Sequence, residues 1–397
     1  MTPRRLLVPF ALVAFLGALA LRSLQALPTY AVREGYVCRQ CHVDPNGGGV
    51  RNDFGFNYGK NRHLLNPPDS LYGELAFGSK ITEGFWFGTD FRLLFANEYG
   101  EDAREFIDRT FIPMQGALYF HAQPIPQLDL VYNRDLRETR DAYGLVTSWL
   151  PWNMNLKVGQ FRVPLGLRFD DHTSYTKRFE ALGYNYQAVD QGVELSRVGS
   201  QVYWQAALQN GGSARADLLT AKLGYVKAPV HVGISGQYKE DGRSSNNDPV
   251  RRIRGAVFGG ARAGKFVYVG EVLVGQNRPD VGAVTDTTTG VFGYSGELSY
   301  RVSRPLLVRA KYDYLNPNTR FVKEFTEAEK ADPDLFAARR AEFLARKDEF
   351  RSERFGIEAD YQPYPFVEFK TAYRFLRYQS PDIQNLHQVL VLTHFSF

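Results

Sequence analysis

Phe85-Trp86-Phe87-Gly88-Thr89-Asp90-Phe91-Arg92-Leu93-Leu94-Phe95 alternates, its odd positions mainly apolar while Asp90 and Arg92 fall on the opposite face. Period two is the mark of a β-strand, whose successive side chains point to opposite sides. The pattern recurs downstream. Val308, Ala310, Tyr312 and Tyr314 alternate with Arg309, Lys311 and Asp313. Val367, Phe369, Thr371, Tyr373 and Phe375 stand against Glu368, Lys370 and Arg374. The last stretch sets Val389, Val391, Thr393, Phe395 and Phe397 against Leu390, Leu392, His394 and Ser396. An apolar face opposed by a charged one describes a transmembrane barrel wall, lipid outside and wet lumen inside. A soluble sandwich needs both inner faces apolar and would not bury such rows of charge.

Working outward, short turns fall near 124–126, 150–152, 197–200, 227–229, 263–264, 303–305 and 362–365. Longer polar connections fall at 97–108, 135–141, 164–189, 210–215, 240–250, 277–289, 316–352 and 379–386. Seven short turns alternating with eight long loops predict an all-β, 16-stranded antiparallel outer-membrane barrel over 82–397. Short turns then face the periplasm, long loops face outward, and both chain ends of the barrel are periplasmic. A final strand ending on Phe397 resembles the assembly signal of outer-membrane barrels. The 316–352 loop holds a run, 324–354, rich in Glu, Lys, Arg and Ala, which reads as a charged surface helix, with docking or gating as the alternative.

Composition agrees. The chain has 397 residues, 14% aromatic and 23% charged, with formal charge +5. That balance excludes a disordered chain. Two cysteines exclude a disulfide framework or a four-cysteine zinc site. A slightly negative mean hydropathy, with one apolar run at the start, excludes a polytopic helical membrane protein.

That apolar run lies in residues 1–26, where Arg4-Arg5 precede Leu6–Leu21 and small residues follow, the form of a secretory signal peptide. An uncleaved anchor is the alternative, but the run is short for a bilayer core and holds Pro9 and Gly17. Losing Arg4, Arg5 and Arg22 with this segment leaves a charge of about +2, so the basic balance points to no polyanionic partner. Nucleic-acid binding is not expected, since no basic stripe is clustered.

Both cysteines sit in Cys38-Arg39-Gln40-Cys41-His42, the C-x-x-C-H pattern of covalent haem c attachment. Two thiols at this spacing can each add to a vinyl group of one porphyrin, leaving His42 as proximal iron ligand. A thioredoxin-like dithiol would want a βαβ context, and none is nearby. No Met lies in this segment, so His63 is the candidate distal ligand; alternatively it is solvated, and the iron is five-coordinate or takes a barrel residue. Arg39, Arg51, Lys60 and Arg62 are candidates to pair the propionates. The glycines of Asn46-Gly47-Gly48-Gly49 permit tight turns or close approach to a porphyrin. The haem segment and linker, 27–81, are too short to build a core alone and need a cofactor or a neighbouring wall.

The stretch from Ala26 to Gly35, running into Cys38–His42, resembles the start of the fused outer-membrane cytochrome–porins, which include the iron-oxidising ones. Gly159–Gly166, Asp190–Leu195 and Asn210-Gly211 are similar to the phosphate-selective type of porin. The resemblance implies one haem c in or under the lumen, passing electrons across the outer membrane, and carries over only Cys38, Cys41 and His42. The expected function is oxidation of extracellular Fe(II), or of another redox partner, with electrons passed to a periplasmic cytochrome or other soluble carrier. If an enzyme, the chain would be an iron:cytochrome c oxidoreductase; no catalytic acid, base or nucleophile is nominated. Two rivals remain: a passive anion or sugar porin with an appended haem carrier, and outward electron delivery to extracellular acceptors. For the porin, Arg309, Lys311, Lys370 and Arg374 are the basic lumen candidates.

Overall fold

The computed structural model describes residues 28–61, 78–101, 106–136, 139–169, 174–177, 189–211, 216–240, 251–278, 287–317, 321–323, 351–379 and 384–397. The signal-like residues 1–26, Arg62, His63 and most of the charged run at 324–354 lie outside them.

Strands run in chain order as β1 (Lys80–Thr82), β2 (Phe85–Tyr99), β3 (Phe106–Ile125), β4 (Leu128–Arg134), β5 (Thr139–Leu150) and β6 (Met154–Arg162). Next come β7 (Val189–Val198), β8 (Val202–Gln209), β9 (Leu218–Lys227), β10 (Val230–Glu240), β11 (Arg251–Ala263) and β12 (Phe266–Arg278). Last are β13 (Thr287–Arg301), β14 (Leu306–Asn316), β15 (Phe321–Lys323), β16 (Ser352–Tyr364), β17 (Val367–Tyr378) and β18 (Leu386–Ser396). Among the described residues, β1 and β15 are three-residue strands at the rims; the other sixteen form the wall. Neighbours in sequence pair antiparallel, β14 pairs β16, and β18 returns to β2 (Phe395 opposite Phe91), closing the barrel. Phe397 completes the seam, exchanging backbone hydrogen bonds with Thr89 at 3.1 and 3.2 Å. Closure removes the sheet edges, the condition for strands to cross lipid.

All seven short turns occur where the sequence places them. The alternation also holds: Phe91, Leu93, Ile357, Val391 and Phe395 lie on the outside, while Asp90, Arg92, Arg309, Glu358 and His394 are buried inward. Strands of about 11 residues, tilted about 45°, span the hydrocarbon layer. No helix among the described residues is long and apolar enough to cross a membrane.

Two expectations need correction. The loops at 97–108 and 135–141 are shorter, because β2, β3 and β5 continue into them to Tyr99, Phe106 and Thr139. The connection from 164 is not wholly external. Residues 163–169 and 174–177 fold into the lumen, where the wall satisfies their backbone: Gly166 N–H donates to Ser235 Oγ (2.8 Å), and Tyr175 N–H donates to Asp313 Oδ1 (3.2 Å). Leu165 and Tyr175 pack there against Leu273, Val291 and Leu315. A polar wall offers partners to an inserted backbone, which is why such a loop can turn inward.

Candidate functional site

The haem-motif segment lies inside the barrel, near its short-turn end. Helix α1 (Pro28–Glu34) starts on Pro and stops at Gly35, whose left-handed φ of +69° and N–H bond to Ala31 O (2.8 Å) cap it. Its Val32 is fully buried against Phe258, Val267 and Val269 of the wall. A Cβ at Gly260 would come within 2.6 Å of Val32, so that glycine makes the room. Gly35 abuts Ala228 in the β9–β10 turn.

A 3₁₀ turn over Cys38–Gln40 follows, with His42 N–H donating to Cys38 O (3.1 Å). His42 then bridges to Arg51, so the chain doubles back through Gly47, Gly48 and Gly49, all at left-handed φ (+83°, +71°, +64°). Helix α2 (Asp53–Lys60) begins at Asn52, whose Oδ1 accepts from Gly55 N–H (2.9 Å) while its Nδ2 donates to the Arg39 and Gln40 carbonyls (both 3.1 Å). One side chain thus caps the helix and clamps it to the cysteine turn.

The wall these residues lacked is supplied by polar anchors. Lys157 of β6, fully buried, donates to Asp44 Oδ1 (2.9 Å) and also meets Glu194 Oε1 (3.2 Å). Lys222 of β9 donates to Asn46 Oδ1 (2.8 Å). Arg168 of the inward loop donates to Gly47 O, and a Cβ on Gly48 would strike its guanidinium. At the short-turn rim, Trp86 Nε1 donates to Asp53 (2.7 Å), and Phe56 packs on Phe366 (ring centroids 5.0 Å apart).

Cys38, Cys41 and His42 line one cavity of about 1700 Å³, its open mouth included. Both cysteines are free of disulfides. Burial pushes the Cys41 thiol up to about 12 and raises Cys38 as well, the reverse of a reactive dithiol. Burial, with Arg51 and Arg168 adding repulsion, pushes His42 down to about 3. Its ring is therefore neutral at neutral pH, the state that binds a metal. The lining carries Arg51, Arg92, Arg162, Arg168, Lys222 and Arg309 against Asp90 and Glu368, although Arg309 is also paired behind it with Glu297 and Asp360. A porphyrin with two propionates suits this chamber: thiols and imidazole on one side, a basic excess, and glycine backbone at Gly47, where a Cβ would crowd Cys38 at 3.1 Å. Cys38 and Cys41 would hold it, His42 would ligate its iron, and Arg51 is placed to meet a propionate. No group of three His, Cys, Asp or Glu among the described residues is arranged to hold a bare metal ion.

The other propionate candidates separate. Arg39 turns away to Val43 O (2.7 Å) and Asp129 (3.5 Å), beside a second cavity lined by His42, Trp86 and His121. Lys60 is not on the lining of the first cavity, and Arg62 and His63 lie outside the described residues. Arg309, Lys311, Lys370 and Arg374 do face inward, but as a zipped ladder: Arg309 with Glu297 (3.2 Å) and Asp360 (2.5 Å), Lys311 with Glu358 (2.8 Å), Arg374 with Glu358 (2.9 Å), and Lys370 with Asp360 (3.8 Å). They are not free cations for a passing anion. Sequence reasoning missed Lys157, Arg168 and Lys222, since nothing local ties them to a segment more than a hundred residues away; Asn52, just before a helical run, was readable as a cap.

This barrel resembles solved outer-membrane channels. OmpT of Vibrio cholerae is 10% identical, with a TM-score of 0.54 over 80% of this chain and 98% of that one. An anion-selective porin from Comamonas acidovorans is 8% identical, at 0.56 over 79% and 99%. The outer-membrane channel DcaP of Acinetobacter baumannii is 11% identical, at 0.53 over 81% and 99%. No protein-family model matches the chain, and no curated protein sequence matches it. At these identities the likeness is one of fold: the chain is a porin-type β-barrel of the bacterial outer membrane.

Proposed function

We propose that this barrel is an electron conduit of the outer membrane, fused to its own haem c. The observation that carries the reading is the lodging of Cys38-x-x-Cys41-His42 inside the lumen, its two thiols and one imidazole lining one basic cavity. When bound, haem c would supply a one-electron iron couple within a layer that electrons cannot otherwise cross at useful rates. The chain's own residues position and enclose it. Lys157, Lys222 and Arg168 fix the 44–48 turn from three sides. The inward loop and the N-terminal segment 28–61, which acts as a plug, both enter the lumen, which works against free solute passage. On this reading an extracellular reductant, Fe(II) in the first instance, donates from the loop side, and a soluble cytochrome accepts at the short-turn side.

The test is reconstitution of holoprotein in liposomes loaded with oxidised cytochrome c. Reduction of the trapped cytochrome by external Fe(II), lost in Cys38→Ala/Cys41→Ala, is expected. Failure of Fe(II) to reduce either the haem or the trapped acceptor would sink iron oxidation. Rapid small-solute flux through the intact protein would instead favour the passive porin, the reading that the likeness to channels supports. Reduction of an external acceptor by a reduced internal cytochrome, and not the reverse, would favour outward delivery.

A further inference from the structure

Resting on the haem reading, one position is left over: a second axial ligand opposite His42. Among the described residues, the histidines sharing the cavity with Cys38, Cys41 and His42 are His231 and His394. Met114 and Met154 are not on its lining.

The two histidines differ in what their nitrogens already hold. His394 lies between two carboxylates, with Nε2 3.1 Å from Asp90 and Nδ1 2.8 Å from Glu368. Ligating a metal through Nδ1 would cost it Glu368, and through Nε2 it would cost it Asp90, a carboxylate that Arg92 also holds at 3.0 Å. His231, on β10, is only 2% exposed. Its Nε2 lies 2.9 Å from Tyr203 Oη, and its buried Nδ1 has no hydrogen-bond partner. A neutral imidazole carries one N–H and one lone pair. If Nε2–H donates to Tyr203, the bare lone pair on Nδ1 is the orphan, and a buried polar atom left unmatched costs about 1–3 kcal/mol. A metal-ligating histidine characteristically donates its other ring N–H to a fixed partner, the part Tyr203 plays here.

The surroundings agree. Tyr203 and Lys222 line the same cavity as Cys38, and Lys222 lies 5.9 and 5.2 Å over the Tyr203 and Phe258 rings. Phe258 meets the His231 ring edge-on with centroids 5.7 Å apart. The imidazole is thus held rigidly on a wall strand, braced on two sides, with one nitrogen unspent.

We infer that His231 is the distal axial ligand of the haem iron, oriented by Tyr203, so that plug and barrel each contribute one ligand. The iron would then tie the segment to the wall, and the low-spin site could form only when the plug is seated.

Full-length holoprotein matured with a c-type haem system decides this by spectroscopy. Covalent haem on the wild type, read by mass and haem stain, tests the underlying reading; its absence overturns that reading and this inference together. With haem attached, the wild type should be low-spin, and His231→Gln should lose the low-spin ferric signal and gain carbon monoxide binding in the ferrous state. In His231→Gly, added imidazole should restore the low-spin spectrum, an outcome that misfolding would not give. Tyr203→Phe should stay low-spin with a shifted reduction potential. A His231→Gln protein that carries haem and remains low-spin overturns the assignment while leaving the haem reading standing. So does loss of the low-spin state in His63→Ala or His394→Gln with His231 intact.

Discussion

Replacing Lys157 by Met is the most direct perturbation of how the plug is held. The ammonium is fully buried between Asp44 Oδ1 (2.9 Å) and Glu194 Oε1 (3.2 Å), with the Tyr143 and Phe161 rings 5.3 and 4.8 Å away. Burial alone raises the Asp44 carboxyl, but Lys157 and Arg168 together hold it below its usual range. Methionine keeps most of the volume and removes the charge, so two buried carboxylates lose their shared counter-ion. Breaking a buried pair from one side costs about 3–5 kcal/mol. Part of that falls on Glu194, a wall residue that keeps Gln205 at 3.3 Å; the rest falls on Asp44, two residues beyond His42. If most is relieved by unseating the plug, the open population rises roughly 10²–10⁴-fold, since each 1.36 kcal/mol is a decade. Amide exchange at Val43–Asn46 should speed up by that factor while the wall strands keep their protection. Adding Asp44→Asn and Glu194→Gln should recover most of the loss, because neutral amides need no counter-ion. Unchanged exchange at 43–46 in Lys157→Met would refute the view that this ion triad seats the plug.

Three further outcomes are expected. Glu34→Gln should steady α1 at neutral and alkaline pH: burial pushes the Glu34 carboxyl up to about 9, and neither oxygen has a hydrogen-bond partner. The seated chain therefore keeps a proton that the free chain loses above 4.5, and docking weakens as pH rises from there toward 9. Exchange in 28–34, corrected for intrinsic rate, should show that pH dependence in the wild type and lose it in the variant. Gly48→Ala puts a side chain at φ +71° and drives its Cβ into Arg168. Ordinary residues pay about 1–2 kcal/mol for that backbone, so the contact with the inward loop should open and single-channel conductance should rise in planar bilayers. Asn52→Ala removes a helix cap and two carbonyl clamps, at about 0.5–2 kcal/mol for the cap; limited proteolysis should cut within Asp53–Lys60 faster, with the barrel left intact.

The barrel was legible because period two acts locally and repeats. Asp90 and Arg92 against Phe91 and Leu93 state which face is wet before any partner strand is known, and the turns between such runs fix how many strands there are. The cysteine turn was legible for a like reason, since five consecutive residues hold its whole signal. Readings of single basic residues fared worse. Arg39 and Arg51 look alike in sequence, yet Arg39 faces Asp129 and Arg51 faces the cavity. Arg309 and Lys311 looked like a pore lining and prove to be paired across strands.

What the sequence determined by itself was therefore the wall, its strand number, its outward greasy face, and the cysteine–histidine turn of the N-terminal segment. Each depends on neighbours within a few residues. Only the tertiary structure decided where that segment sits, that residues 163–169 after β6 fold inward to meet it, and that Lys157, Arg168 and Lys222 converge on it. Those contacts join residues about a hundred or more positions apart. They depend on strand register around a closed circumference, where a slip of one residue would turn every inward side chain outward.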